Sequence, residues 1–303
     1  SNHSYLLHCN SFVNSVLEYL RMIFSLWTDN GAMNSKPVFA AFEKSLKDAG
    51  CTVVHNSLDA DVAVIWSVLW HGRMAQNKKV WDDFRSKGKN IIVLEVGGIK
   101  RGETWKVALN GINGEAYFGD MGQDSSRAEK LGVTLKDWQR NEDGDIIICC
   151  QHDKSHQWRM MPSVTRWLSD VIDTLRNHTG RRIIIRPHPR NMLPAIEHEW
   201  KNVSRVSPMH IQGSYDDFDF DPTNAWAVIS WSSNPGPQAV IKGIPAFTGP
   251  ESLAYLVANK NLSSIENPKY FKREDWFNNY VWTEYTLDEI SEGIAFNRLT
   301  SKL

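Results

Sequence analysis

Residues 182–190 read Arg182-Ile183-Ile184-Ile185-Arg186-Pro187-His188-Pro189-Arg190. Three β-branched apolar residues between arginines have the length and character of a strand buried on both faces, as parallel sheets require. The prolines around His188 end that strand and stiffen the loop behind it. The same pattern recurs on either side. Upstream, residues 145–150 read Asp-Ile-Ile-Ile-Cys-Cys, followed by a polar loop. Residues 163–177 then carry Val164, Trp167, Leu168, Val171, Ile172 and Leu175 at helical spacing, with Gly180 closing the segment. Downstream, residues 225–230 (Ala-Trp-Ala-Val-Ile-Ser) lead into a Ser/Asn/Pro/Gly loop, a short helix at 238–242 and the apolar Ala246-Phe247. Strands alternating with helices predict an α/β body around a parallel sheet.

The first half repeats the alternation. Strands are expected at 22–27, 51–55, 61–66 and 90–95, with helices at 37–49 and 78–86. Residues 99–140 lack a regular period and are expected to form loops. No tandem repeat is present. These readings predict an N-terminal extension (1–20) and two Rossmann-like α/β domains (21–140 and 141–303) facing a central cleft. The second domain would end in closing helices at 275–280 and 287–299. In such sheets ligands bind beyond the carboxyl ends of the strands.

The 303 residues are 42% hydrophobic and 23% charged, with a formal charge of −1. These are globular values, and they lack the basic excess of a dedicated nucleic-acid binder. No stretch reaches the roughly 18 apolar residues of a membrane span. Cys9, Cys51, Cys149 and Cys150 fit no zinc spacing and read as free thiols of a reducing, cytoplasmic compartment. Most of the thirteen tryptophans read as packing residues.

Chemistry is expected where strands end. His188, held between prolines and flanked by Arg186 and Arg190, suits phosphate or carboxylate. Ser230 to Gln238 follows a strand and enters a helix, so Ser232, Ser233, Asn234 and Gln238 offer donors for an anion. Gln151, Asp153 and Ser155 follow the strand at 145–150 and are expected to contact a sugar or base. His152 and His156 gain no third metal ligand, and no metal site is expected. Glu95 ends a strand ahead of Val96-Gly97-Gly98 and can serve as general base on a hydroxyl. Arg101, Trp105 and Lys106 follow it and are expected to shape the acceptor side. The acidic stretch at 216–221 reads as a solvated loop.

These segments resemble the capsule polysaccharide biosynthesis family, which includes bacterial Kdo transferases, and more loosely the GT-B sialyltransferases. The resemblance covers residues 141–260. It rests on His188-Pro189 after a strand and on Ser232-Ser233-Asn234 leading to Gly243-Ile244-Pro245, with a partial match at Gln151 to Ser155. It implies a GT-B fold in which the 141–303 domain binds the nucleotide-sugar and the 21–140 domain faces the acceptor. His188, Ser232 and Ser233 would then hold donor phosphate. Glu95-Val96-Gly97 falls on the family's acidic-acidic-Gly motif, with Val96 in place of the second acid. Gln238 stands where related sequences carry Glu. The chain is also similar to phage-encoded proteins that share a Trp-rich first half and the segment Trp282-Thr283-Glu284-Tyr285-Thr286-Leu287-Asp288-Glu289-Ile290.

The leading expectation is a metal-independent glycosyltransferase that moves a sugar from a nucleotide-sugar to a hydroxyl, with no tightly bound cofactor. It would act in the cytoplasm, that of the host if phage-encoded. One alternative acceptor is hydroxymethylated DNA, met by a basic path of Lys100, Arg101 and Lys106. The other alternative is a non-catalytic nucleotide- or glycan-binding protein of the same fold.

Overall fold

A computed structural model describes residues 18–214 and 218–303. Most of the expected extension, Cys9, and Asp216 and Asp217 of the acidic stretch lie outside them. The chain runs β1 (Ile23–Leu26), α1 (Lys36–Asp48), β2 (Thr52–His55), β3 (Val62–Trp66), α2 (Asn77–Ser86), β4 (Asn90–Val96) and β5 (Trp105–Leu109). Next come α3 (Ser126–Leu131), β6 (Ile146–Cys149), α4 (Val164–Arg176), β7 (Ile183–Arg186), β8 (Val203–Arg205) and β9 (Ala227–Ile229). It closes with α5 (Pro235–Ile241), β10 (Ala246–Phe247), α6 (Glu274–Tyr280), β11 (Glu284–Tyr285), α7 (Leu287–Ser291) and α8 (Ile294–Asn297). Two compact α/β units result. One comprises the residues up to Met121 together with Trp282–Leu303; the other is Gly122–Val281.

The first unit holds a six-stranded sheet in the order β11-β5-β4-β3-β1-β2. Strands β2, β1, β3 and β4 are parallel, while β5 runs against β4 and β11 against β5. Helix α1 lays Val38, Phe39, Phe42 and Leu46 over one face, against Phe24, Leu26, Val64 and Ile92. Helix α2 covers the other face with Val80, Trp81 and Phe84, against Ile65, Ile91 and Val93. The four central strands are apolar at nearly every position because both faces are buried.

The second unit holds a five-stranded sheet, all parallel, in the order β10-β9-β6-β7-β8. The chain starts in the middle at β6, builds outward through β7 and β8, then returns to lay β9 and β10 on the other side. That is the Rossmann strand order 3-2-1-4-5, and it places the topological switch point between β6 and β9. Helix α4 packs Trp167, Leu168, Val171, Ile172 and Leu175 on one face, and Ala239 and Val240 of α5 pack on the other. Cys149 and Cys150 join these opposite cores and, like Cys51, are free thiols. Burial pushes both up to about 12.

The structure departs from the expected domain limits in two places. The boundary falls at 121/122, not near 141, because residues 122–140 pack on the second unit. There the Lys136 and Gln139 amides donate to the Ile241 and Gly243 carbonyls, and the Trp138 indole donates to the Phe271 carbonyl. The closing residues 282–303 belong to the first unit, where β11 pairs with β5 and Tyr285, Ile290, Phe296 and Leu299 are fully buried. The helix expected across 287–299 breaks into α7 and α8, because Gly293 takes a left-handed φ of 88°. The loop-like stretch 99–140 contains β5 and α3.

Phe296 sits edge-on to Phe24 and Phe42, with ring centroids 5.8 and 6.1 Å away. Phe296→Ala should therefore cost about 3–5 kcal/mol in urea unfolding of the first unit. Amide exchange should rise in β1 and β3 and stay unchanged in β6 and β9.

Candidate functional site

At the switch point of the second unit, Gln151 and Ser232 leave the carboxyl ends of β6 and β9 and grip each other. The Ser232 amide donates to Gln151 Oε1 at 2.7 Å, and Gln151 Nε2 donates to Ser232 Oγ at 3.0 Å. Gln151 is 6% and Ser232 1% exposed, so the pair is shielded from water.

Two histidines stand at the ends of β6 and β7. The rings of His152 and His188 meet edge-on, with centroids 5.3 Å apart. Each Nδ1 accepts a backbone N–H two residues on, from Lys154 and from Arg190, both at 3.1 Å. That acceptor role puts the proton of each neutral ring on Nε2 and leaves Nε2–H as the donor. Asp153 Oδ1 also lies 3.2 Å from His152 Nδ1, so a protonated His152 has a carboxylate partner in place.

Around the β9–α5 loop, the hydroxyls of Ser230, Ser233 and Thr248 are buried without a hydrogen-bond partner. Ser230 and Thr248 lie close together: a Cβ on Gly236 would stand 3.0 Å from Ser230 Oγ and 3.2 Å from Thr248 Cγ2. A buried polar atom left unpaired costs about 1–3 kcal/mol, so such atoms are ordinarily paired by water or a ligand. Glu251 has one carboxylate oxygen 3.2 Å from Arg159 and the other buried without a partner. Trp231 presses on Gly249, where any side chain would strike the indole.

The other expected residues of this unit fall as follows. Arg186 donates to the Asp219 carbonyl at 2.6 Å and lies 5.1 Å from the Phe220 ring centroid, so its guanidinium turns toward that segment. Ser155 Oγ accepts the Gln157 amide and caps a short 3-10 turn, while Asp153 is exposed. Asn234 precedes α5 and Gln238 lies on it, both half-buried. His152 and His156 sit on a turn and a 3-10 turn, not on one α-helix. Ser230 and Thr248 were not among the expected site residues.

The first unit gathers a row of charges, with Lys106 and Glu284 buried and Glu95 half-buried. The register sets Lys106 on β5 opposite Glu95 on β4 and opposite Glu284 on β11. Directly opposed residues share a sheet face at Cβ separations of about 4.5–5.5 Å. Burial holds the Glu95 carboxyl above the usual range, against the pull of the Ser67 hydroxyl, the Val96 amide, Lys106 and Arg101. Burial likewise lowers the Lys106 ammonium, against the pull of Glu284, Glu95 and Glu115. Lys106 is 2% exposed and acts on its neighbours, whereas Arg101 is exposed. Trp105 packs against the first core in register with Tyr285 and Val96.

Ser67, which directly follows β3, was not expected either. Its φ of +64° is a left-handed conformation that costs a non-glycine residue free energy, and such strain clusters at functional sites. A pocket of about 150 Å³ lies beside the carboxyl end of β1, lined by Leu26, Thr28, Lys36, Phe39, Ala40 and Glu43. Among the described residues no helix is long and apolar enough to cross a membrane, and no three His, Cys, Asp or Glu side chains gather as metal ligands.

No protein-family model matches this chain, and no curated protein is similar to it in sequence. Among solved structures it is similar to the beta Kdo 2,7 transferase of Thermosulfurimonas dismutans KpsC. The TM-score is 0.45 and the identity 14%, over 90% of this chain and 99% of that one. The beta Kdo 2,4 transferase of the same protein gives a TM-score of 0.44 and 11% identity, over 86% and 98%. Anabaena Alr3699/HepE in complex with UDP-glucose gives a TM-score of 0.32 and 10% identity, over 92% and 95%. None of these likenesses assigns an activity or a site residue to this chain.

Gln151→Leu keeps the volume but removes both partners of Ser232. It should lower stability by about 1–3 kcal/mol in urea unfolding, because a buried amide is left unpaired. Ser232→Ala, which leaves the buried Gln151 Nε2 without its acceptor, should cost about 1–3 kcal/mol as well.

Proposed function

We propose that the chain is a glycosyltransferase that moves a sugar from a nucleotide-sugar donor to an acceptor hydroxyl, with the donor held by the second unit. The observation that carries this reading is the set of partnerless buried hydroxyls at a Rossmann switch point: Ser230 and Ser233 on the loop that carries Ser232 of the Gln151–Ser232 pair, and Thr248 close to Ser230. Donors fixed in advance around a water-poor spot suit an oxyanion such as a phosphate, because no reorganisation is needed when charge develops. The resemblance of His188-Pro189 and Ser232-Ser233-Asn234 to the capsule family motifs supports the same reading.

In this reading His188 and His152 donate from Nε2 to donor phosphate, and the hydroxyls of Ser233 and Ser230 complete the cradle. Gln151 and Ser232 set its geometry, with Asn234 and Gln238 at its α5 side. Arg186 contributes positive charge from β7, and Asp153 and Ser155 order the β6 loop that carries His152. As the sugar–phosphate C–O bond breaks, its electron pair passes to the phosphate oxygen, where these donors stabilise it. Glu95 accepts the proton of the acceptor hydroxyl as its oxygen bonds to the anomeric carbon. The burial of Lys106 and the pairing of Lys100 with Glu103 at 3.7 Å weaken the basic path that DNA requires. A glycan or small hydroxyl acceptor is therefore preferred.

A panel of CMP-, UDP-, GDP- and TDP-sugars should contain at least one ligand that raises the melting temperature. At 100 times its dissociation constant it stabilises by about 2.7 kcal/mol. Ser233→Ala and His188→Ala should shrink that shift. A panel without any shift contradicts the reading.

The pH dependence of turnover follows from Glu95. A base acts only when ionised, and burial raises the pH at which Glu95 ionises. Nucleotide release should therefore climb as pH rises through that raised value and fall away below it. Glu95→Gln should abolish this limb and lower kcat by about 100-fold or more. An unchanged limb in Glu95→Gln removes Glu95 as the base.

A further inference from the structure

The closing segment of the chain places a fully buried carboxylate beside the loop that follows Glu95. Glu284, on β11, is 0% exposed. Its Oε2 accepts the Gly98 amide at 2.8 Å, and its Oε1 accepts the Ile99 amide at 3.0 Å and the Thr104 hydroxyl at 2.8 Å. Thr104, also 0% exposed, ties back to Lys100 through its hydroxyl and amide. The loop 97–104 is thus fastened at both ends to one carboxylate 180 or more residues away in sequence. Gly97 is part of the fastening: a Cβ there would run into the Glu284 carboxylate and the Thr104 carbonyl. Only glycine lets the backbone approach that closely.

Arg101 sits at the tip of this loop, and its charge favours the ionised form of Glu95, less strongly than Ser67, Val96 and Lys106 do. The groups facing Glu95 are Lys106 from β5, Arg101 from the loop, and the Ser67 hydroxyl and Val96 amide. Glu284 and Glu115 in turn face Lys106. A buried carboxylate with three hydrogen bonds and an opposed lysine is strongly held, whereas removing one partner leaves a buried charge short of compensation.

We propose that Glu284 is a positioning residue that fastens the loop from Gly97 to Thr104 and thereby keeps Arg101 beside Glu95. The proposal rests on the reading of Glu95 as the base, and it makes the closing segment of the chain part of the acceptor-side machinery.

The test uses the full chain and two variants. Thr104→Val removes one hydrogen bond to Glu284 and changes no charge; Glu284→Gln keeps the shape and removes the charge. In both, amide exchange at Gly98 and Ile99 should quicken by about tenfold, the scale of one lost hydrogen bond, while β1 and β3 stay protected. In Thr104→Val the carboxyl 13C titration of Glu95 should also move to higher pH, because Arg101 is no longer held near. A role confined to stability leaves that titration where it was. Wild-type exchange at both amides overturns the proposal, as does quickened exchange with an unmoved Glu95 titration. If Glu284→Gln fails to fold, the two Thr104→Val readouts decide. Failure to turn over any nucleotide-sugar removes the transferase reading and leaves both readouts intact.

Discussion

The pairing of Gln151 with Ser232 is the constraint on which the candidate donor site depends. At a switch point the crossovers leave in opposite directions, so the carboxyl ends of β6 and β9 carry no helix between them. Loops that leave there need something to fix their spacing. A primary amide that both accepts and donates across that gap fixes it in two places, at 2.7 and 3.0 Å. With that span set, Ser230 and Ser233 stand on either side of Ser232, and His152 follows Gln151 toward His188. The site is built by the ends of four adjacent strands, β10, β9, β6 and β7.

The first unit solves a different problem. Glu95, Lys106 and Glu284 form a charged row across three strands in an otherwise apolar sheet. Taking such groups out of water is unfavourable by several kcal/mol per ion, and their mutual attraction recovers it only with good geometry and further hydrogen bonds. Those bonds are supplied to Glu284 by Gly98, Ile99 and Thr104. An apolar row of the same volume would serve stability as well or better. The row sets a carboxylate held above its usual range beside a lysine held below its own, next to a strained Ser67, an environment that suits the role proposed for Glu95.

Much of this was legible before any coordinates. Buried parallel strands are runs of branched apolar residues, so β3, β4, β6, β7 and β9 announce themselves. The amphipathic α1 and α4 do so as clearly through their spacing. Strand β5 was missed because Lys106 interrupts its apolar pattern, and a buried lysine is legible only once its partners are known. Strands β8 and β11 span three and two residues, too short for any period to show. The closing segment was placed with the wrong unit for a plain reason: Tyr285, Ile290 and Phe296 show that something covers them, not which sheet does. At the site, the rule that function follows strand ends singles out Gln151, His188, Ser232 and Glu95 as candidates. It passed over Ser67, whose left-handed φ leaves no mark in composition, and Thr248 and Glu284, which arrive from remote parts of the chain.

The most direct measurement of the central claim is an imidazole 15N titration of His152 and His188 with CMP-, UDP-, GDP- and TDP-sugars, read alongside the Ser232 amide. The account predicts that at least one donor moves the Nε2 resonances of both rings and the Ser232 amide together, at one common dissociation constant. Resonances that stay still with every donor, or changes confined to the first unit, would contradict it.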